Sequence, residues 1–331
     1  MQLWKATLVI LSLFLGSCAL GSRPQQPTSA IATAYLNEVL DVVERRALNR
    51  HSIDWEQFRA RLFAIAEGAQ TTADTHRAIR FMVSQLGDRH SSFLTPEQAH
   101  QLEQTSDSRE APLPRGELLP ERIAYLWLPY LIGDGATATD YAVTAHTIIR
   151  TLDEAQPCGW IVDLSENQGG NMWPMLVAAG PILGEGVAGS FVGPEGAATA
   201  WSYRSGQALM AQEVMAQVDD GAAYRLAGPL PPVAVLTDKR TASSGEAIAV
   251  AFRGRPHTRS FGAATAGLST GNETYPLSDG AVLILTEAVF ADRTGSTYGG
   301  RIEPDERAWF GRPARQAAIA WLLRQPACTR P

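Results

Sequence analysis

A buried strand that ends in a polar turn and restarts as a helix is a place where a serine can act as a nucleophile. The segment Leu236-Thr237-Asp238-Lys239-Arg240-Thr241-Ala242-Ser243-Ser244-Gly245-Glu246-Ala247 has that form. The N–H groups of the first helical turn converge there, and with the helix dipole they favour a developing negative charge. A serine in that place is also an ordinary helix cap, and on this segment alone the cap is the stronger reading. A second such turn is Asp163-Leu164-Ser165-Glu166-Asn167-Gln168-Gly169-Gly170-Asn171. Paired glycines after an apolar strand let backbone N–H groups approach a ligand closely, although the same pair can serve a tight connection alone. His90, in the polar loop Gly87-Asp88-Arg89-His90-Ser91-Ser92, supplies a base suited to neutral pH. A lone histidine is more often structural, so His90 gains weight only from its company. His51, His76, His100 and His146 lie in or beside helical patterns and are expected at the surface, and His257 follows Pro256 on a loop.

These pieces need rigid elements behind them. From Ser29 to about Gln104 the apolar residues recur at helical spacing, as in Ile31, Tyr35, Leu36, Val39, Leu40 and Val43. Asp54-Trp55-Glu56-Gln57 resembles a capping box before a second helix, and a third is expected from about Thr72 to Leu86. Thr95-Pro96-Glu97-Gln98 opens a fourth, with cap, proline and glutamine in agreement. The polar, Pro-rich stretch Thr105 to Pro120 reads as a domain boundary. Beyond it, strands at Ile123–Leu128, Trp160–Leu164, Val233–Thr237, Thr274–Leu277 and Val282–Phe290 are expected. Helices at Thr139–Ala155, Met172–Leu183, Gly245–Phe252 and Pro313–Leu323 accompany them. This alternation predicts an α/β core with a largely parallel sheet, residues 111–331, behind an N-terminal helical bundle domain, residues 30–110, that carries the histidine loop. The Gly-rich stretch Gly184 to Pro232 has weak periodicity and is read as including a mobile flap.

Composition narrows the classes. The 331 residues suffice for one large domain or two unequal ones, with 45% hydrophobic and 19% charged residues. Against 34 acidic residues stand 28 scattered basic ones, and the net charge of -6 argues against a nucleic-acid partner. No CxxC or HxxxH spacing supports a metal site, and no cofactor is expected. At the amino terminus, Lys5 precedes the apolar run Ala6–Leu15, too short to span a bilayer as a mature helix. The following Leu15-Gly16-Ser17-Cys18 resembles the lipobox of bacterial lipoproteins. That resemblance implies a signal peptide over 1–18, acylation of Cys18, a Pro/Gln/Ser-rich tether over 19–29 and a membrane partner through the lipid. The alternative is an ordinary signal peptide cut nearby at Ser17 or Gly21. The remaining cysteines, Cys158 and Cys328, either form one disulfide in an oxidising compartment or stay unpaired.

The segments DRHSSFLTPEQ, DLSENQGGN and TASSGEA occur in the order and at the spacings of the S41 peptidases, the family of tail-specific and carboxyl-terminal processing proteases. Gly300-Arg301-Ile302-Glu303-Pro304-Asp305 resembles the family's late G-x-x-x-P-D turn, so the likeness runs from about residue 50 to 310. Two departures sort the chain. The stretch from Gln98 to Glu121 is too short for the PDZ domain that processing proteases carry there. No lysine follows Lys239, which excludes their Ser–Lys dyad on residue type. On both counts the chain is similar to the nisin-resistance and tricorn-core branch.

The resemblance implies a ClpP/crotonase-like α/β core and a serine peptidase acting on a peptide or protein substrate. Ser243 is then the nucleophile, with Ser244 as the alternative, and His90 the base. The oxyanion is held by the N–H of Ser244 and of Gly169 or Gly170. Glu246 either orients His90, holds a substrate terminus or simply suits the helix dipole, and Ser91 is a second candidate for orienting the base. The resemblance to a lipobox implies localisation in the cell envelope, expected to be periplasmic with the anchor in the outer membrane, although the motif itself leaves the choice of membrane open. Two other classes stay open. One is a peptide-binding scaffold without turnover, since Ser165 stands where relatives often have arginine. The other is a crotonase-like acyl-transfer enzyme, against which export argues because acyl-CoA is cytoplasmic.

Overall fold

The structure is a computed structural model that describes residues 26–108, 112–309 and 311–329. The expected signal segment with Cys18, and the tether up to residue 25, lie outside the described residues.

The N-terminal region is helical, as its spacing predicts: α1 (Ala30–Arg46), α2 (Trp55–Ile65), α3 (Thr72–Ser84) and α4 (Pro96–Ser108), with a short strand β1 (Ser92–Leu94) before the last. Each start is fixed by a side chain. Ser29 Oγ accepts from Ala32 N–H and Asp54 Oδ1 from Gln57 N–H, both at 3.1 Å. Thr71 and Asp74 form a reciprocal box before α3. After α4 the chain re-enters at β2 (Arg115–Leu118), leaving no room for an inserted domain.

The core then runs β3 (Ile123–Trp127), α5 (Gly135–Glu154), β4 (Gly159–Asp163), α6 (Met172–Leu183), β5 (Gly186–Val192), β6 (Ala198–Arg204), β7 (Gln207–Met210), β8 (Glu213–Gln217), β9 (Val233–Thr237) and α7 (Ser244–Phe252). It ends with β10 (Thr258–Gly262), β11 (Thr270–Pro276), β12 (Val282–Asp292), β13 (Glu306–Arg307), α8 (Arg312–Leu322) and α9 (Pro326–Thr329). One sheet has the order β13-β10-β9-β4-β3-β2 and is parallel except for β2. Strands β4 and β9 are buried along their whole length because helices cover both faces. Helices α5, α6 and α7 pack on one face and α8 on the other.

The second sheet is antiparallel, and only its β11–β12 hairpin was legible in the periodicity. Its order is β1-β12-β5-β6-β7-β8, with β11 on the other side of β12. Gly184 to Pro232, read as including a flap, supplies four of these strands. Short hairpins with half-exposed faces give little apolar alternation, which hid them. The N-terminal helices do not close a bundle on themselves. Leu36, Leu40, Ile79 and Met82 share one core with Leu277, Ala281, Leu283 and Leu285 at the β11–β12 hairpin. Two histidines expected at the surface are buried. His76 is 8% exposed and its Nε2 lies 2.9 Å from Asp279 Oδ2. His146 is fully buried, bridging Val177 O and the Tyr224 N–H. Each imidazole has polar partners that make an inward position tolerable. Cys158 and Cys328 form a disulfide that ties α9 to the chain just before β4.

Candidate active site

Ser243 caps α7 with φ 51° and ψ -118°, a conformation that costs a non-glycine residue about 1–3 kcal/mol. It is half-buried. Ser244, one position on, is 7% exposed and its hydroxyl donates to Gly170 O at 2.5 Å. Of the two serines, the second is therefore spent on structure. Its backbone N–H, at the first position of α7, has no acceptor within the described residues.

The glycine turn lies directly against the serine turn. A Cβ on Gly169 (φ 98°) would sit 2.8 Å from Ser243 Cβ, and one on Gly170 (φ 105°) only 1.9 Å from Leu131 O. Only glycine permits both approaches. The two candidate donors are not equivalent. Gly169 N–H donates to Asn167 Oδ1 at 2.9 Å, whereas Gly170 N–H has no acceptor among the described residues. Gly170 is the donor left free beside Ser244 N–H.

His90 arrives from the second sheet. Strand β12 pairs with β1 over Val282–Ile284 and with β5 over Val289–Asp292, and the histidine loop fills the gap between them. Asp88 Oδ1 accepts from the N–H groups of His90 (2.8 Å) and Ser91 (2.6 Å). Ser91 Oγ donates to Asp88 Oδ2 at 2.8 Å and accepts from Thr286 N–H at 3.0 Å. Ser91 thus shapes the loop and does not orient the imidazole. The group that meets His90 Nδ1 is Thr270 Oγ1, at 2.7 Å, a residue no sequence signal had marked. Burial holds the imidazole below its ordinary proton affinity, and the Asp88 charge partly offsets that. His90 and Ser243 make no direct hydrogen bond to each other.

Glu246 connects the two. It is fully buried, with Oε2 accepting from Ser243 N–H (2.9 Å) and Leu268 N–H (2.7 Å). Oε1 accepts from Gly267 N–H at 3.0 Å and from Thr265 Oγ1. Burial pushes its carboxyl up while these four donors pull against that shift. Glu246 touches neither His90 nor solvent; it pins the serine turn to the segment that continues into Thr270. The late turn holds the same segment and, through Asp305, strand β10. Ile302 N–H donates to Thr265 Oγ1 at 2.9 Å, Ser269 Oγ to Gly300 O at 2.7 Å, and Asp305 Oδ2 accepts from Ser260 N–H and Oγ at 2.8 Å each. Among the described residues, no group of acidic, histidine or cysteine side chains has the arrangement of a metal site.

A serine hydroxyl on a strained turn, an imidazole whose burial lowers its proton affinity and two unspent N–H groups are parts that acyl transfer requires. The model of peptidase family S41 matches residues 122–308, more than half of the sequence, and the chain belongs to that family. It is 26% identical over 292 residues to the nisin-resistance protein of Lactococcus lactis subsp. lactis, covering 88% of this chain and 87% of that protein. A lipoprotein from Streptococcus agalactiae superposes with a TM-score of 0.71 at 28% identity, over 90% of this chain and 98% of its own. The photosystem II D1 C-terminal processing protease shares the fold, with a TM-score of 0.62 at 16% identity over 91% and 99% of the two chains.

Proposed function

We propose that this chain is an exported serine peptidase that cleaves peptide bonds through Ser243 and His90. The observation that carries the reading is the pairing of a half-buried Ser243 on a strained turn with the unspent N–H groups of Ser244 and Gly170, in a chain of family S41. His90 Nε2 takes the Ser243 proton as Oγ attacks the scissile carbonyl, and returns it to the leaving amine. Water then repeats the sequence on the acyl-enzyme. For Nε2 to accept, Nδ1 must carry the proton and donate to Thr270 Oγ1. The oxyanion sits between the N–H groups of Ser244 and Gly170, and losing such a donor typically costs about 3 kcal/mol of barrier. The helical region 30–110 and the core 111–331 then contribute one member of the dyad each.

A fluorophosphonate probe tests this. Purified protein should label, and Ser243→Ala should not; no labelling of the wild type, or equal labelling of the variant, sinks the mechanism. A scaffold without turnover is the second reading, favoured by the missing His90–Ser243 hydrogen bond. Apo dyads often tighten only around substrate. Measurable peptide hydrolysis that Ser243→Ala removes would exclude the scaffold.

The similarity to a protein described as a lipoprotein supports an anchor at Cys18, and the Cys158–Cys328 disulfide suits an oxidising envelope compartment. No helix among the described residues is long and apolar enough to cross a membrane. We place the chain on the periplasmic side, attached by acylated Cys18. Cys18→Ser should shift it from the membrane fraction to the soluble one.

A further inference from the structure

Asp238 follows β9 and opens the serine turn, yet one of its carboxylate oxygens also holds the glycine turn. Oδ1 accepts from the N–H groups of Arg240 and Thr241 at 2.9 Å each, and from Glu166 N–H across the gap at 3.1 Å. The side chain is 3% exposed, and among the described residues no lysine or arginine pairs with it. Three backbone N–H groups and the Thr241 hydroxyl (3.3 Å) converge on that one oxygen, and hydrogen bonds to a carboxylate are stronger than those between neutral groups. Neutral links run beside it: Thr241 Oγ1 to Leu164 O and Ala242 N–H to Asn167 O, both at 2.9 Å. The Glu166–Arg240 pair spans the same gap, but both side chains are about half exposed and the link is correspondingly weak. Asp238 grips Glu166 itself, a residue at φ 66° that turns the chain toward Gly169 and Gly170.

We infer that Asp238 is a positioning residue for the oxyanion site. By holding both turns on one oxygen, it fixes the spacing between the N–H of Ser244 and that of Gly170. The inference rests on Ser243 being the nucleophile. Donors aimed at a developing charge must stay in place while it develops, and a small displacement of either turn separates them.

The test compares the full wild-type chain with Asp238→Asn and Asp238→Ala. Turnover is expressed per fluorophosphonate-titrated serine, and hydrogen exchange is followed over residues 164–171. The alanine variant should lose about 100-fold in kcat per titrated site with KM within about twofold. The asparagine variant keeps an acceptor and should stay within about tenfold of wild type. Exchange over 164–171 should accelerate in Asp238→Ala while residues 30–84 are unchanged. Wild-type turnover per site in Asp238→Ala, or a loss confined to the number of titratable sites, overturns the inference, as does unchanged exchange over 164–171. If wild-type protein does not label at all, the peptidase reading fails, and the exchange measurement alone decides whether Asp238 clamps the turns.

Discussion

Around Ser243 the backbone is strained, and a fully buried carboxylate holds it in place through Ser243 N–H. Around His90 the loop is held by Asp88 and by the hydroxyls of Ser91, Thr270 and Thr286, with the imidazole itself fixed by a single hydroxyl contact. The serine turn belongs to the parallel sheet and to the segment matched by the S41 model, whereas the histidine loop lies outside that segment and docks on the antiparallel sheet. One half of the proposed dyad sits within a single sheet and its helices; the other depends on how two sheets and the N-terminal helices come together. A hydroxyl also steers an imidazole more weakly than a carboxylate would, because it can either donate or accept at Nδ1.

The sharpest test of this contrast is at the serines. Ser243→Ala should lower peptide turnover by about 1,000-fold or more, while Ser244→Ala keeps its N–H and should retain labelling, as read by probe attachment and steady-state rates. Next comes the base. His90→Ala should cost about 100- to 10,000-fold in kcat/KM with the circular dichroism spectrum unchanged. The pH profile tests its environment. Burial lowers the proton affinity of His90, so the base form persists as pH falls. The acid limb of wild-type kcat/KM should have its midpoint below about 6.5, the ordinary value for imidazole; a midpoint above that would contradict the described surroundings.

Thr270→Val, which removes only the hydroxyl, should cost about tenfold in kcat with KM nearly constant, the size expected for one lost orienting hydrogen bond. Equal rates would show that packing alone orients the ring. The smallest effect on catalysis is expected far from both halves. Replacing Cys158 and Cys328 by serine should remove about 2–5 kcal/mol of stability in denaturant unfolding yet leave kcat unchanged. The disulfide lies at the opposite end of β4 from the glycine turn.

What the sequence disclosed follows the same division. The strands β4 and β9 are continuous apolar runs that end in polar turns, so the serine and glycine turns were visible as local patterns. The capped helices before Thr105 were equally legible. Thr270 was not, because its contact with His90 joins residues far apart in sequence and a threonine opening a strand carries no mark of function. Gly169 and Gly170 could not be told apart until Asn167 was seen to occupy one of them. The inward histidines fail for a related reason. A helical stripe gives a face, but only the Asp279 and Val177 partners make that face habitable for imidazole.

The core that the N-terminal helices share with Leu277, Leu283 and Leu285 bears on how such a chain can be recombined. A helical region transplanted from a relative would arrive without the hairpin surface it was shaped against, and would carry its histidine loop out of register with Thr286. The unit of inheritance is therefore discontinuous in sequence: residues before Thr105 and the β11–β12 hairpin must change together.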